Sequence, residues 1–108
     1  MAVDTTYKPI PLPDIDGFTF FPPLAIVYIQ AIRNGSNIYF LGMKEPHKVP
    51  YSLDDMLELV PDEKFCRVNK SFIICVQHLR KTNQQKTRII YSQELVIPVT
   101  DTYRDEFI

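Results

Sequence analysis

Phe65-Cys66-Arg67-Val68-Asn69-Lys70-Ser71-Phe72-Ile73-Ile74-Cys75-Val76 is the stretch on which the reading of this chain turns. Phe72, Ile74 and Val76 alternate with Ile73, Cys75 and Gln77, so a strand here is apolar in both directions and partly covered on both faces. Asn69-Lys70-Ser71 breaks the extended run with a polar bend, where the Ser71 hydroxyl is placed to bond backbone. The same stretch opens the one strongly basic part of the chain. From Lys64 to Arg88 there are seven cations (Lys64, Arg67, Lys70, Arg80, Lys81, Lys86, Arg88) and no acid. Residues 1–63 carry four cations against nine acids, and residues 89–108 one against four, so the overall charge of −1 hides a segregated distribution. A concentrated positive field points to a polyanionic partner, because phosphate neutralisation releases condensed counterions; the alternative is a solvated hairpin that simply carries Lys and Arg.

Working outward, the 108 residues are enough for one small domain whose core must be well packed. Nine prolines against three glycines, with 12% aromatics, favour many short punctuated strands over long helices. Ile26, Tyr28 and Ile32 stand at even spacing in a strand, Asn34-Gly35 follows as a hairpin turn in which both residues tolerate positive φ, and Asn37–Leu41 resumes the alternation. Val49–Tyr51 adds a short strand. Strands near His78–Lys81 and Thr87–Tyr91 flank a polar tip at 82–85, and Leu95–Val99 closes the series.

One segment reads as a helix. Ser52 is an N-cap, Asp55 stands three residues on, and Leu53, Met56, Leu57 and Val60 form one apolar face before Pro61 ends it. Thr100–Tyr103 caps a second short helix. Residues 1–15, with Pro9, Pro11 and Pro13, read as an extended lead-in or linker to a domain over 16–108. The fold class expected is mainly β, built from antiparallel hairpins with one or two short helices.

Chemistry has little support in the sequence. Cys66 and Cys75 would lie roughly 30 Å apart in an unbroken strand, a distance that a break at Asn69–Ser71 would shorten, and their spacing suggests neither a disulfide nor a metal site. Two thiols used in this way fit a cytoplasmic protein. Strand alternation puts Cys75 and His78 on opposite faces, and Asp54, Asp55 and Glu58 read as the wet side of the helix. There is no Gly-rich phosphate loop and no nucleophile elbow, so neither an enzyme nor a cofactor is expected. No apolar run approaches the ~20 residues that cross a bilayer, and no signal peptide is expected at the N-terminus.

Four motifs in order resemble the LytTR DNA-binding domain of bacterial response regulators, over about residues 8–108. The family's Ile-x-Tyr-Ile-Glu-Ala strand is matched by Ile26-Val27-Tyr28-Ile29-Gln30-Ala31, and its Ser-Leu helix start by Ser52-Leu53. Its Phe-x-Arg-Ile-His-Arg-Ser-Tyr-Ile-Val-Asn run is similar to Phe65–Cys75, and its Ile-Pro-Val-Ser-Arg-x-Tyr ending to Ile97–Tyr103. The resemblance implies an elongated stack of small antiparallel sheets that reads double-stranded DNA with loops. By position it implies contacts from Arg33, Asn34 and Asn37, from Asn69 and Lys70, and from Thr100 and Thr102. It also implies a homodimer on DNA and an upstream receiver or sensor domain. Arg67 is left open between a phosphate contact and a structural partner for a carboxylate.

Three departures stand out: Asn69 replaces the family's His, Cys75 its Asn, and Asp101-Thr102 the expected cation. An acid in a phosphate-facing loop would repel DNA. This leaves a second reading open, a LytTR-like domain that has lost DNA readout and serves as an interaction or dimerisation module.

Overall fold

Each face of the doubly apolar stretch at 72–75 has a core of its own, and this organises the molecule. The structure is a computed structural model that describes residues 7–107, with side chains through Arg104. The chain runs β1 (Ile10–Asp14), β2 (Gly17–Phe21), β3 (Ile26–Ile32), β4 (Gly35–Phe40), β5 (His47–Val49), α1 (Leu53–Leu59), β6 (Phe65–Arg67), β7 (Phe72–Cys75), β8 (Lys81–Thr82), β9 (Arg88–Ile90), β10 (Val96–Pro98) and α2 (Asp101–Phe107). All pairings are antiparallel, in three sheets ordered β1-β2, β5-β4-β3-β7-β6 and β10-β9-β8. The stack of small antiparallel sheets that the family resemblance implied is the observed architecture, with extents of 44 × 33 × 26 Å.

β7 lies between β3 and β6 in the five-stranded sheet. Its Ile73 and Cys75 face a first core with Ile26, Ile29, Ile38, Leu53 and Met56. Its Ile74 faces a second core with Val68, Ile89, Ile97 and Val99, against which Tyr28 and Phe72 also pack. The three-stranded sheet thus covers one side of the central sheet, while α1 and the β1–β2 hairpin cover the other. The aromatics between the sheets are tightly placed, with Tyr28 stacked on Tyr39 at 4.3 Å and tilted against Tyr91 at 5.7 Å. Burial there pushes the Tyr28 hydroxyl up to about 12 and raises that of Tyr91 as well.

The helix forms where the sequence places it. Ser52 Oγ accepts from Asp55 N at 3.1 Å and the Asp55 carboxylate accepts from Ser52 N at 3.3 Å, a reciprocal cap. Leu53, Met56 and Val60 are buried, but Leu57 is only half-buried because the apolar stripe is narrower than the spacing implied.

Two expectations need correction. The lead-in over 1–15 is part of the fold from Ile10 onward, since β1 pairs with β2 and Ile10 and Leu12 enter the first core. Its prolines misled because Pro11 and Pro13 alternate with those buried residues and fall where a strand does not need their N–H. The β3–β4 hairpin exists, but its two turn residues are Arg33 and Asn34, and Gly35 already pairs with Ile32. Gly35 has φ +155°, whereas Asn34 does not take positive φ. The break at 69–71 that shortens the distance between the two thiols is observed. The chain reverses at 69–71, placing Cys75 opposite Phe65 and Cys66 opposite Ile74, on neighbouring rungs but opposite faces.

Gly35 is needed for close approach as well as for its φ. A Cβ there would lie 2.0 Å from the Val49 carbonyl oxygen of β5. Gly35→Ala should therefore push β5 off β4 and cost about 1–3 kcal/mol or more. The shift of the urea-unfolding midpoint measures it.

Candidate nucleic-acid interface

The bend between β6 and β7 is built by two side chains that the sequence offered as DNA contacts. Arg67 donates from Nε to Asn69 O at 3.2 Å, from Nη2 to Lys70 O at 3.0 Å, and from Nη1 to Asp54 Oδ1 at 2.9 Å. Its guanidinium also lies 5.6 Å from the centre of the Tyr103 ring. Of the two roles left open for Arg67, the carboxylate partner is the one observed. The rigid donor fork is spent on the bend and on joining α1 and α2 to β6. The ion pair itself contributes little, since Asp54 is largely exposed.

Asn69 is a correction. It is buried at 6% exposure, donates from Nδ2 to Pro98 O at 2.6 Å, and accepts at Oδ1 from Ser71 N at 2.7 Å. Both ends of the amide are satisfied by backbone, so this side chain holds the loop and does not present its donor and acceptor to a base edge. A short amide at a bend competes well for local backbone groups, and here one of its two partners comes from β10. Lys70, next in sequence, is left exposed.

Backbone bonds fasten this bend to two other loops. Ala31 N donates to Ser71 O at 2.8 Å, which ties the bend to the end of β3 beside the Arg33–Asn34 turn. Thr100 N donates to Val68 O at 3.0 Å, which ties it to the start of α2. As a result Arg33, Asn34, Arg67 and Lys70 line one cleft, while Asn69, Lys70, Thr100 and Thr102 line a second. Lys70 stands on the ridge between the two, and Arg33, Asn34, Thr100 and Thr102 are all exposed. Asn37 is not brought in. It sits inside the sheet opposite Gln30 and Lys48, because β4 begins at Gly35 and not after residue 37.

Two cations outside the sequence-derived site belong beside it. Arg88 pairs with Pro98, whose carbonyl also holds Asn69, and Thr87 O accepts from Val99 N at 2.7 Å. Asn83 shapes this tip, accepting at Oδ1 from Thr87 N at 2.8 Å and Arg88 N at 3.0 Å, while Lys86 adopts a positive φ of 58°. Membership in the acid-free run is the signal that could have found Lys86 and Arg88. By contrast, Lys81 pairs with Ile90 toward the other end of β9, so the basic run is divided by the fold. Asp101 also changes meaning, because its Oδ1 accepts from Arg104 Nη2 at 2.6 Å and the acid is partly neutralised within its own helix.

The arrangement is a β-sheet scaffold that holds the β3–β4 turn, the β6–β7 bend and the start of α2 at one end, with exposed cations and small polar side chains. The chain belongs to the LytTr DNA-binding domain family, which it matches over residues 16–108. Among solved structures it is similar to a LytTr DNA-binding domain from Bacillus cereus, at 23% identity and a TM-score of 0.69 over 94% of each chain, a likeness of fold. No curated protein matches the chain. Among the described residues, no helix is long and apolar enough to cross a membrane.

Proposed function

We propose that this domain binds double-stranded DNA through the end that carries Arg33, Lys70, Lys86 and Arg88. On this reading it is the cytoplasmic output part of a bacterial transcriptional regulator, a binding module and not an enzyme. It acts as a homodimer and takes its signal from an upstream receiver or sensor domain; the Bacillus cereus neighbour is likewise named for a response regulator. The observation that carries the reading is Lys70, exposed between two clefts on a bend whose shape is fixed by Asn69 and Arg67. Cations hold phosphates and set the register. With Asn69 committed to backbone, base readout falls to the exposed Asn34, Thr100 and Thr102, whose amide and hydroxyls can donate and accept.

Roughly three to five phosphate contacts predict a log–log salt slope of about −0.9 for each, so affinity should fall roughly 40- to 500-fold between about 50 and 200 mM salt. Fluorescence anisotropy with a duplex from a genomic selection measures this. A flat response, or no binding at the lower salt, defeats the proposal.

The interaction-module reading keeps one observation in its favour, the 91% exposed side chain of Asp101 at the third loop. Asp101→Arg separates the two readings. It removes an acid, adds a cation and releases Arg104, so a DNA-facing loop should bind more tightly, with a slope steeper by about 1–2. A folded variant with unchanged affinity at every salt concentration would instead place this loop away from the duplex.

A further inference from the structure

The β1–β2 hairpin has one edge closed by its sequence and one left open. Pro11 and Pro13 have no N–H, so they occupy the non-hydrogen-bonded rungs opposite Phe20 and Phe18. The Pro13 carbonyl agrees: it points away from β2 and accepts from His47 Nε2 at 2.9 Å. On those rungs Phe18 and Phe20 must direct their own N–H and C=O groups outward, away from β1. Among the described residues β2 has no second neighbour in its sheet, so there these groups form an unpaired edge. The side chains beside that edge are apolar and wet, with Phe18 62%, Phe20 65% and the turn residue Ile15 97% exposed.

The other sheet edges are protected in the usual ways. β1 carries Pro11 and Pro13, β5 Lys48, β6 Arg67, β8 Lys81 and β10 Pro98. β2, Gly-Phe-Thr-Phe-Phe, has neither a proline nor a charge. The strand is also held firmly, since Phe21 stacks on Phe40 at 4.6 Å beneath it. It is a rigid open template, not a frayed end.

We propose that two copies of this chain associate by antiparallel pairing of their β2 strands. The edge is self-complementary: a two-fold axis through Thr19 sets Phe18 opposite Phe20 of the second copy, and Phe20 opposite its Phe18. Both rungs then exchange N–H and C=O, and the two hairpins become one four-stranded sheet. The four phenylalanines fall on one face as cross-strand aromatic pairs. A heterologous peptide would gain the same backbone bonds but not this reciprocal match, which is what an isologous interface requires. The patch lies at the small end of interface sizes, below about 1,200 Å² in total, so the dimer is weak alone and gains from two sites on one DNA molecule. This inference deepens the homodimer reading above and rests on none of the DNA contacts.

Sedimentation equilibrium without DNA tests it. The wild-type mass should rise from one chain toward two as concentration increases. Phe18→Lys combined with Phe20→Lys should stay at one chain with an unchanged circular dichroism spectrum, and should keep its affinity for a single DNA half-site. Thr19→Cys should form a covalent dimer under mild oxidation in excess of the wild type treated identically, because residue 19 would meet its own copy on the axis. A wild-type mass of one chain at every concentration overturns the proposal, as does a lysine variant that still associates or a Thr19→Cys chain that gains no cross-link. Loss of DNA binding with the mass change intact would count against the DNA reading alone.

Discussion

Asn69→Ala should sharply weaken DNA binding by loosening the loop end of the molecule, with no change of base preference in the binding that remains. The substitution removes the donor to Pro98 O and the acceptor for Ser71 N together. Both bonds are only part-buried, so each backbone group left without a partner costs about 1 kcal/mol, toward the low end of the range for buried groups. The loss should appear in urea unfolding of the free domain, before any DNA is added. Amide exchange should quicken at Ser71 and at Thr100, whose N–H reaches Val68 O across the same bend. A variant with wild-type stability that loses only one base preference would return Asn69 to direct readout.

Met56→Ala should be the other large effect, about 2–5 kcal/mol. Met56 is fully buried in the first core, where α1 closes over β3 and β4. Leu57→Ala should cost less, about 1–2 kcal/mol, because Leu57 is still partly wet. Thermal or urea denaturation of the two variants side by side gives the ranking, and equal losses would mean that the helix is rotated from the position described. Neither change should alter the DNA salt slope per molecule folded, because α1 lines the first cleft with Leu53, Asp54 and Asp55, and neither Met56 nor Leu57 lines either cleft.

The two cores explain why so much of the fold was legible. Alternation at 72–77 states that both faces of a strand are covered, and that alone requires layers on either side of it. The capped helix at 52–60 was equally readable, since capping and periodicity act within a few residues of one another. The first strand was not. A proline-rich lead-in and a proline-protected strand look the same until the partner strand is known, and β2 supplied that partner only in the fold.

The site divides along the same line. Charge depends on composition, so the basic run from Lys64 to Arg88 follows from the residues themselves. Whether a polar side chain faces solvent depends on what lies across from it, and that is a matter of tertiary structure. Pro98 O lies 29 residues from Asn69 and turns a would-be base reader into a loop brace. Asp54 lies 13 residues from Arg67 and helps make a phosphate candidate into a strut. Arg104 lies only three residues from Asp101, yet the acid's pairing needed the helical turn that brings them together. The sequence by itself determined the antiparallel β-hairpin class, the capped helix and the sign of the basic segment, because each of these rests on local pattern and composition. Only the tertiary structure decided which polar groups in that segment remain free to meet a partner, because hydrogen-bond satisfaction depends on neighbours the chain brings in from far away.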